Sequence, residues 1–194
     1  MSTISKEDVL NLREKTGAGL IDCKRALVDS DGDMDEAISI LRKKGVASAA
    51  KKAGRDAGEG IISQSISDDR KKGLLVEVNC ETDFVAKNED FISFSSEVAA
   101  ELLSDTEVDL EEKRTELVAK IGENIRISRF ELLEPAGNGL VESYVHTGSK
   151  VAVLISLSSD SEDNINANLV VEMARDLCMH IAATSPVCVS REDV

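Results

Sequence analysis

Aromatic side chains are scarce in this 194-residue chain, which has no tryptophan, one tyrosine and four phenylalanines. Basic charge is also short: 23 Lys and Arg stand against 37 Asp and Glu, for a net charge of −14. Nucleic-acid recognition rests on a basic footprint and usually on stacking aromatics. With neither in supply, direct nucleic-acid binding is not expected, and the average surface repels phosphate backbones and anionic lipid. No apolar run approaches the roughly 20 residues of a membrane span. The start, Met1 to Asp8, has neither the apolar core of a signal peptide nor the Arg-rich face of a transit peptide, so a cytosolic protein is expected. Histidine is limited to His146 and His180. The four cysteines, Cys23, Cys80, Cys178 and Cys188, lack close metal-ligand spacing and are read as reduced and mostly buried.

What is present is a soluble globular composition, 42% hydrophobic and 31% charged, of a size for one or two domains. Ser5 and Asp8 form a capping-box signature for a first short helix with Val9 and Leu12 on one face. Thr16-Gly17-Ala18-Gly19 breaks it. A second helix carries Leu20, Cys23 and Leu27 on an apolar stripe, flanked by Ile21, and Asp29 to Gly32 ends it. Asp33 caps a third, with Glu36 three residues on and Met34, Ala37, Ile38 and Leu41 inward. A compact three-helix bundle is expected over residues 1–44. From Arg42 to Arg55 six cations occur without an acid between them, among Ala and Gly. This basic stretch, with a linker placed at 45–59, reads either as a helical connection with a solvated face or as a contact for an acidic partner. Its glycines fit neither G-x-x-x-x-G-K-[ST] nor G-x-G-x-x-G, so no phosphate loop is expected.

The remainder reads as α+β, with a first core half at 60–138 and a second at 139–194. Ile61–Ile66 and Leu74–Cys80 form a hairpin around a polar turn, followed by a crossing and a helix to about Leu103. A further helix from Leu110 to Ile121 ends at Gly122, and Ile125 to Ile127 alternates as a strand. Leu140–His146 and Val151–Leu157 make another hairpin, and after a polar crossing at Asp160–Asn164 a helix runs until Pro186. Strand, turn, strand, crossing and helix thus recur over about Gly60–Leu103 and Gly139–Thr184, an internal repeat of hairpin-plus-helix halves with antiparallel sheet. The first crossing, Asn79 to Phe91, places Asp83 beside Phe84 in a polar stretch. Phe84 either folds back as a lid on the core or is presented to a partner. The second crossing, Ser158 to Asp163, contains no aromatic, which favours presentation. Near the end, Ser190 to Asp193 again has the form of a helix start, yet the chain stops one residue later, which reads either as a fragment or as a frayed tail.

Catalysis needs converging groups with tuned protonation. Cys178 and His180 lie two apart on a helix and point to opposite sides. His146 has no acid that the sequence forces beside it, and the 37 carboxylates are too many for one pair to stand out. Zinc and calcium ligand spacings are lacking. No enzyme, cofactor or metal site is expected, although a small hydrolase or transferase built on His146 or a cysteine stays open. So does a binding adaptor whose three-helix domain recognises ubiquitin-like or nascent-chain partners, which would leave Asp83-Phe84 in a crossing unexplained.

Two longer motifs carry a resemblance. Leu12-Arg13-Glu14-Lys15-Thr16-Gly17-Ala18-Gly19-Leu20-Ile21-Asp22-Cys23-Lys24-Arg25-Ala26-Leu27 and Glu77-Val78-Asn79-Cys80-Glu81-Thr82-Asp83-Phe84-Val85-Ala86 resemble the two signatures of bacterial elongation factor Ts. Ala119-Lys120-Ile121-Gly122-Glu123-Asn124-Ile125 and Tyr144-Val145-His146 are similar as well. The resemblance runs from about residue 6 to the last, and longer members continue beyond that point with a helical hairpin and a C-terminal module. It implies a ubiquitin-associated-like three-helix bundle, a linker and a core of two similar α+β halves. It also implies guanine nucleotide exchange on the GTPase elongation factor Tu. Thr82, Asp83, Phe84 and Val85 would then enter the GTPase and disturb its magnesium site. Leu12, Arg13, Leu20, Ile21 and Lys24 match the bundle's contacts, and Ile121, Gly122 and His146 match further positions facing the partner. Homo-oligomerisation is left open.

Overall fold

The structure, a computed structural model, describes residues 4–160 and 168–193. In chain order its elements are helices α1 (Lys6–Thr16), α2 (Leu20–Asp29) and α3 (Met34–Lys52), strands β1 (Glu59–Ile66) and β2 (Gly73–Cys80), and helices α4 (Asp83–Ala86), α5 (Glu89–Ser104) and α6 (Glu111–Ile121). Strands β3 (Arg126–Leu133), β4 (Gly139–Val145) and β5 (Ala152–Ser158) follow, then helix α7 (Asn168–Thr184) and a 3₁₀ turn at Arg191–Asp193. The chain divides into two compact units, one of Met1–Gly58 with Asp109–Arg126, the other of Glu59–Val108 with Ile127–Val194.

In the first unit the expected caps form. The Ser5 hydroxyl accepts from the Asp8 N–H at 3.0 Å, and the Asp8 carboxylate accepts from the Ser5 N–H at 3.0 Å. Gly17 takes the left-handed C-cap of α1 at φ 65°. The Asp33 carboxylate accepts from the Glu36 N–H at 2.8 Å and starts α3. Leu12, Cys23, Ala26, Leu27, Ala37 and Leu41 close the core of the three helices.

Two features of this unit differ from the sequence reading. The boundary expected at Lys44 falls inside α3, which runs uninterrupted to Lys52. Ala-rich composition sustains that helix, and Gly45 and Ala49 are buried on it. A methyl at Gly45 would stand 3.4 Å from the Ala119 Cβ on α6, so two small residues let the helix backbones come close. Helix α6, expected with the first core half, belongs to this unit. The basic stretch is also partly neutralised at home. Arg42 pairs with Glu112 at 3.2 Å and Lys44 with Asp22. The buried Asn124 amide donates to the Arg55 carbonyl at 2.9 Å, which fixes the end of the segment.

The second unit holds the sheets. Strands β1 and β2 pair antiparallel from Glu59↔Cys80 to Ile66↔Gly73, and β3 adds beside β2. Leu74, Val76, Val78 and Cys80 are buried at alternate positions, the period-two pattern of a half-covered strand. Helix α5 covers β1 and β2 and contributes Phe91, Phe94, Val98 and Leu102 to the core. Gly60, at φ 151°, is required by close approach: a Cβ there would lie 2.2 Å from the Val78 carbonyl oxygen.

The second half repeats the plan. Strands β4 and β5 pair antiparallel from Gly139↔Ser158 to Val145↔Ala152, and α7 packs on both. The Ser143 hydroxyl donates to the Gln64 side-chain oxygen at 2.7 Å, and the Val141 N–H donates to the Arg70 carbonyl at 2.8 Å, so the two hairpins are joined. Within α7 the sheet side is held by buried Ala174 and Cys178, with Val170 and Val171 packed beside Leu140. Leu169, Met173 and Leu177, on the same apolar pattern, are exposed. The polar crossing expected at Asp160–Asn164 lies, after Asp160, outside the described residues. At the end, the Ser190 hydroxyl and N–H both donate to the Asp193 carboxylate at 2.9 Å.

Candidate functional site

The connection from β2 to α5 is short and fixed at both ends. Cys80, fully buried at the end of β2, donates its thiol to the Thr82 carbonyl at 3.2 Å. Thr82 is extended, and its hydroxyl accepts from the Val85 N–H at 3.4 Å, which starts the single turn α4. Ala86, 6% exposed, faces inward. Asn88 then caps α5 by accepting from the N–H groups of Asp90 at 2.9 Å and Phe91 at 3.4 Å. Two caps within seven residues, with buried anchors at Cys80, Ala86 and Phe91, leave this turn little freedom.

What the turn presents inverts the usual partition of apolar groups. Its alanine is inside, and its phenylalanine, Phe84, is 82% exposed. At about 100° per residue, Phe84 is some 200° from Ala86, so burying one projects the other. Asp83 and Lys87 are four residues apart on the same side of the turn, and the Lys87 ammonium donates to the Asp83 carboxylate at 2.7 Å. That hydrogen bond and the ammonium's charge hold the Asp83 carboxyl below its usual range and raise Lys87. A second ion pair, Lys150–Glu59 at 2.5 Å, adds its field to the first.

Beside the turn lies a groove of ≈ 390 Å³, walled by Ala86, Lys87 and Ile92 on one side and by Val145, Gly148 and Ser149 on the other. The β4–β5 turn is held there by the Ile62 N–H donating to the Ser149 carbonyl at 2.8 Å. His146 is exposed on that turn, its Nδ1 2.9 Å from the Tyr144 hydroxyl. Thr82–Val85 and His146 do not line this groove themselves; their neighbours Ala86, Lys87, Val145 and Gly148 do.

In the first unit, Arg13, Leu20, Ile21 and Lys24 are exposed, with Ile21 77% and Leu20 46% accessible. Leu12 is different: it is fully buried in the bundle core and has no surface to offer a partner. Its place in the signature is a packing role. Ile121 is half-buried, and Gly122 ends α6 in the left-handed region at φ 92°. Cys178 is buried and His180 exposed, on opposite sides of α7 as the spacing predicts. Among the described residues no group of three or more His, Cys, Asp or Glu could hold a metal ion. None of their helices is long and apolar enough to cross a membrane.

The arrangement is an exposed aromatic on a doubly capped turn, beside a charged pair and a groove. Comparison with known proteins gives it a family. The sequence profile of the family described as elongation factor TS matches residues 81–194. The chain is 45% identical to elongation factor Ts of Clostridium botulinum (strain Eklund 17B / Type B) over 98% of its length and 66% of that protein's. It is 46% identical to elongation factor Ts of Hydrogenovibrio crunogenus over 96% of its length and 64% of that protein's. With that of Nautilia profundicola it shares 46% identity over its whole length and 67% of the relative's. The chain belongs to the elongation factor Ts family, and it spans about two thirds of the length of these curated relatives.

Proposed function

We propose that this protein is a guanine nucleotide exchange factor that promotes GDP release from the translational GTPase elongation factor Tu. It does so by inserting Thr82-Asp83-Phe84-Val85 and disturbing the partner's magnesium site. The observation that carries the reading is the rigid, doubly capped turn that holds Phe84 82% exposed. Exposing a phenyl ring costs a protein burial it could otherwise have, and an ordered exposed aromatic is the usual form of an interface anchor. Arg13, Leu20, Ile21 and Lys24 on the bundle, and Ile121, Gly122 and His146, are proposed as further contacts. The activity is binding rather than chemistry, it works in the cytoplasm, and the chain needs neither nucleotide nor metal of its own.

The mechanism follows from linkage. A factor that binds the nucleotide-free GTPase more tightly than the loaded form weakens nucleotide binding by the same ratio. Each tenfold needs about 1.4 kcal/mol of differential contact. Burying one phenyl side chain is worth on the order of 1.5–3 kcal/mol, which is roughly ten- to a hundredfold. Asp83, kept ionised, supplies a competing anion where the nucleotide's phosphates hold magnesium. The test is stopped-flow release of labelled GDP from elongation factor Tu, with and without the chain. Acceleration is expected, and Asp83→Asn should reduce it more in magnesium buffer than after EDTA has removed the ion. No acceleration by the unaltered chain would overturn the reading. Equal loss in both buffers would limit Asp83 to holding the turn.

A further inference from the structure

The exchange reading uses Asp83 and Phe84 and leaves Lys87 without a role. Yet Lys87 ends the turn that carries both, walls the groove beside it, and holds the Asp83 carboxylate at 2.7 Å. A carboxylate sent toward a bound nucleotide meets phosphates of its own sign, and like charges at short range oppose association. An ammonium on the same face of the same turn removes that opposition, because what approaches is then an ion pair with little net charge. Lys87 does this from a geometry that the caps at Thr82 and Asn88 keep fixed, and the neighbouring Glu59–Lys150 pair is itself neutral overall.

We infer that Lys87 is a positioning residue of this turn, which keeps Asp83 charge-compensated while the turn approaches the partner's nucleotide site and releases it once Phe84 is seated. The inference rests on the exchange reading and extends it. It assigns Lys87 to association with the nucleotide-bound partner, a step distinct from the final hold on the nucleotide-free form. Because attraction and repulsion between exposed charges are screened, its influence falls as salt rises.

The experiment uses the full chain with four variants: Lys87→Met, Lys87→Arg, Asp83→Asn, and Asp83→Asn with Lys87→Met. In the free protein, the Asp83 carboxyl is titrated by NMR. Lys87→Met should move its pKa up toward the ordinary aspartate value, and Lys87→Arg should restore it. With the GDP-loaded partner, the second-order constant for release of labelled GDP is measured at low and high salt. Lys87→Met should lower it about five- to tenfold at low salt and less than half as much at high salt, with Lys87→Arg recovering most of the loss. On the Asp83→Asn background the same change should alter the constant less than twofold. An equal loss on both backgrounds would mean that Lys87 acts on the partner directly, and would overturn the inference. So would an unmoved Asp83 titration, or wild-type rates for Lys87→Met. Failure of the unaltered chain to release GDP is a separate result, and it removes the exchange reading together with this extension.

Discussion

Phe91 and Phe94 sit in the core, Phe130 is 37% exposed, and Phe84 is 82% exposed on a turn whose every backbone anchor is tied down. Sequence adjacency of acid and aromatic made that position visible, but exposure depends on Ala86 taking the inward place, which only the capped geometry decides. The cysteines show the opposite pattern. Cys23, Cys80 and Cys178 are buried, and Cys188 is half-exposed. Burial, helped by the Glu142 carboxylate, pushes the Cys178 thiol up to about 11, and burial raises Cys23 as well. A raised pKa leaves the thiol protonated at pH 8, and the thiolate is the form that reacts. With Cys23, Cys80 and Cys178 buried, a disulfide reagent at that pH should titrate Cys188 promptly and the other three only after denaturant is added. Prompt reaction of two or more thiols in the native protein would contradict the burial described here.

At the scale of elements, local signals served well where one stretch of chain determines the outcome. The capping pair Ser5–Asp8, the cap at Asp33, both hairpins and the stop at Gly122 follow from residue types at fixed spacing. The path of α3 and the allegiance of α6 were not legible in the same way. An amphipathic pattern shows that a helix has an apolar face and leaves open which element covers it. In the fold, Gly45 is the point of close approach to Ala119. Gly45→Leu should consequently destabilise the protein by about 1–3 kcal/mol through overpacking, measured by urea unfolding. An unchanged midpoint would show that the α3–α6 contact does not hold this unit together. The burial of Leu12 is hidden for a related reason: a signature groups residues by position and does not separate those that pack from those that face outward.

For the whole molecule, the net charge is −14, and two cations of the basic stretch, Arg42 and Lys44, are held in ion pairs with Glu112 and Asp22. The repeat of hairpin and helix gives the core its frame, and the first copy carries the projecting turn. The last three residues of the aromatic-free second crossing, Ser158 to Asp163, lie outside the described ones, and Phe84 is exposed in the structure itself. The proposed function requires that Phe84 serve a partner and contribute little to this fold. Phe84→Ala, followed by urea unfolding and by stopped-flow GDP release from elongation factor Tu, tests both halves at once. The fold should lose well under the ~3–5 kcal/mol of a core phenylalanine truncation, while GDP release slows tenfold or more, the effect of losing an anchor worth about 2 kcal/mol. A variant that unfolds, or one that releases GDP at the unaltered rate, would contradict the claim.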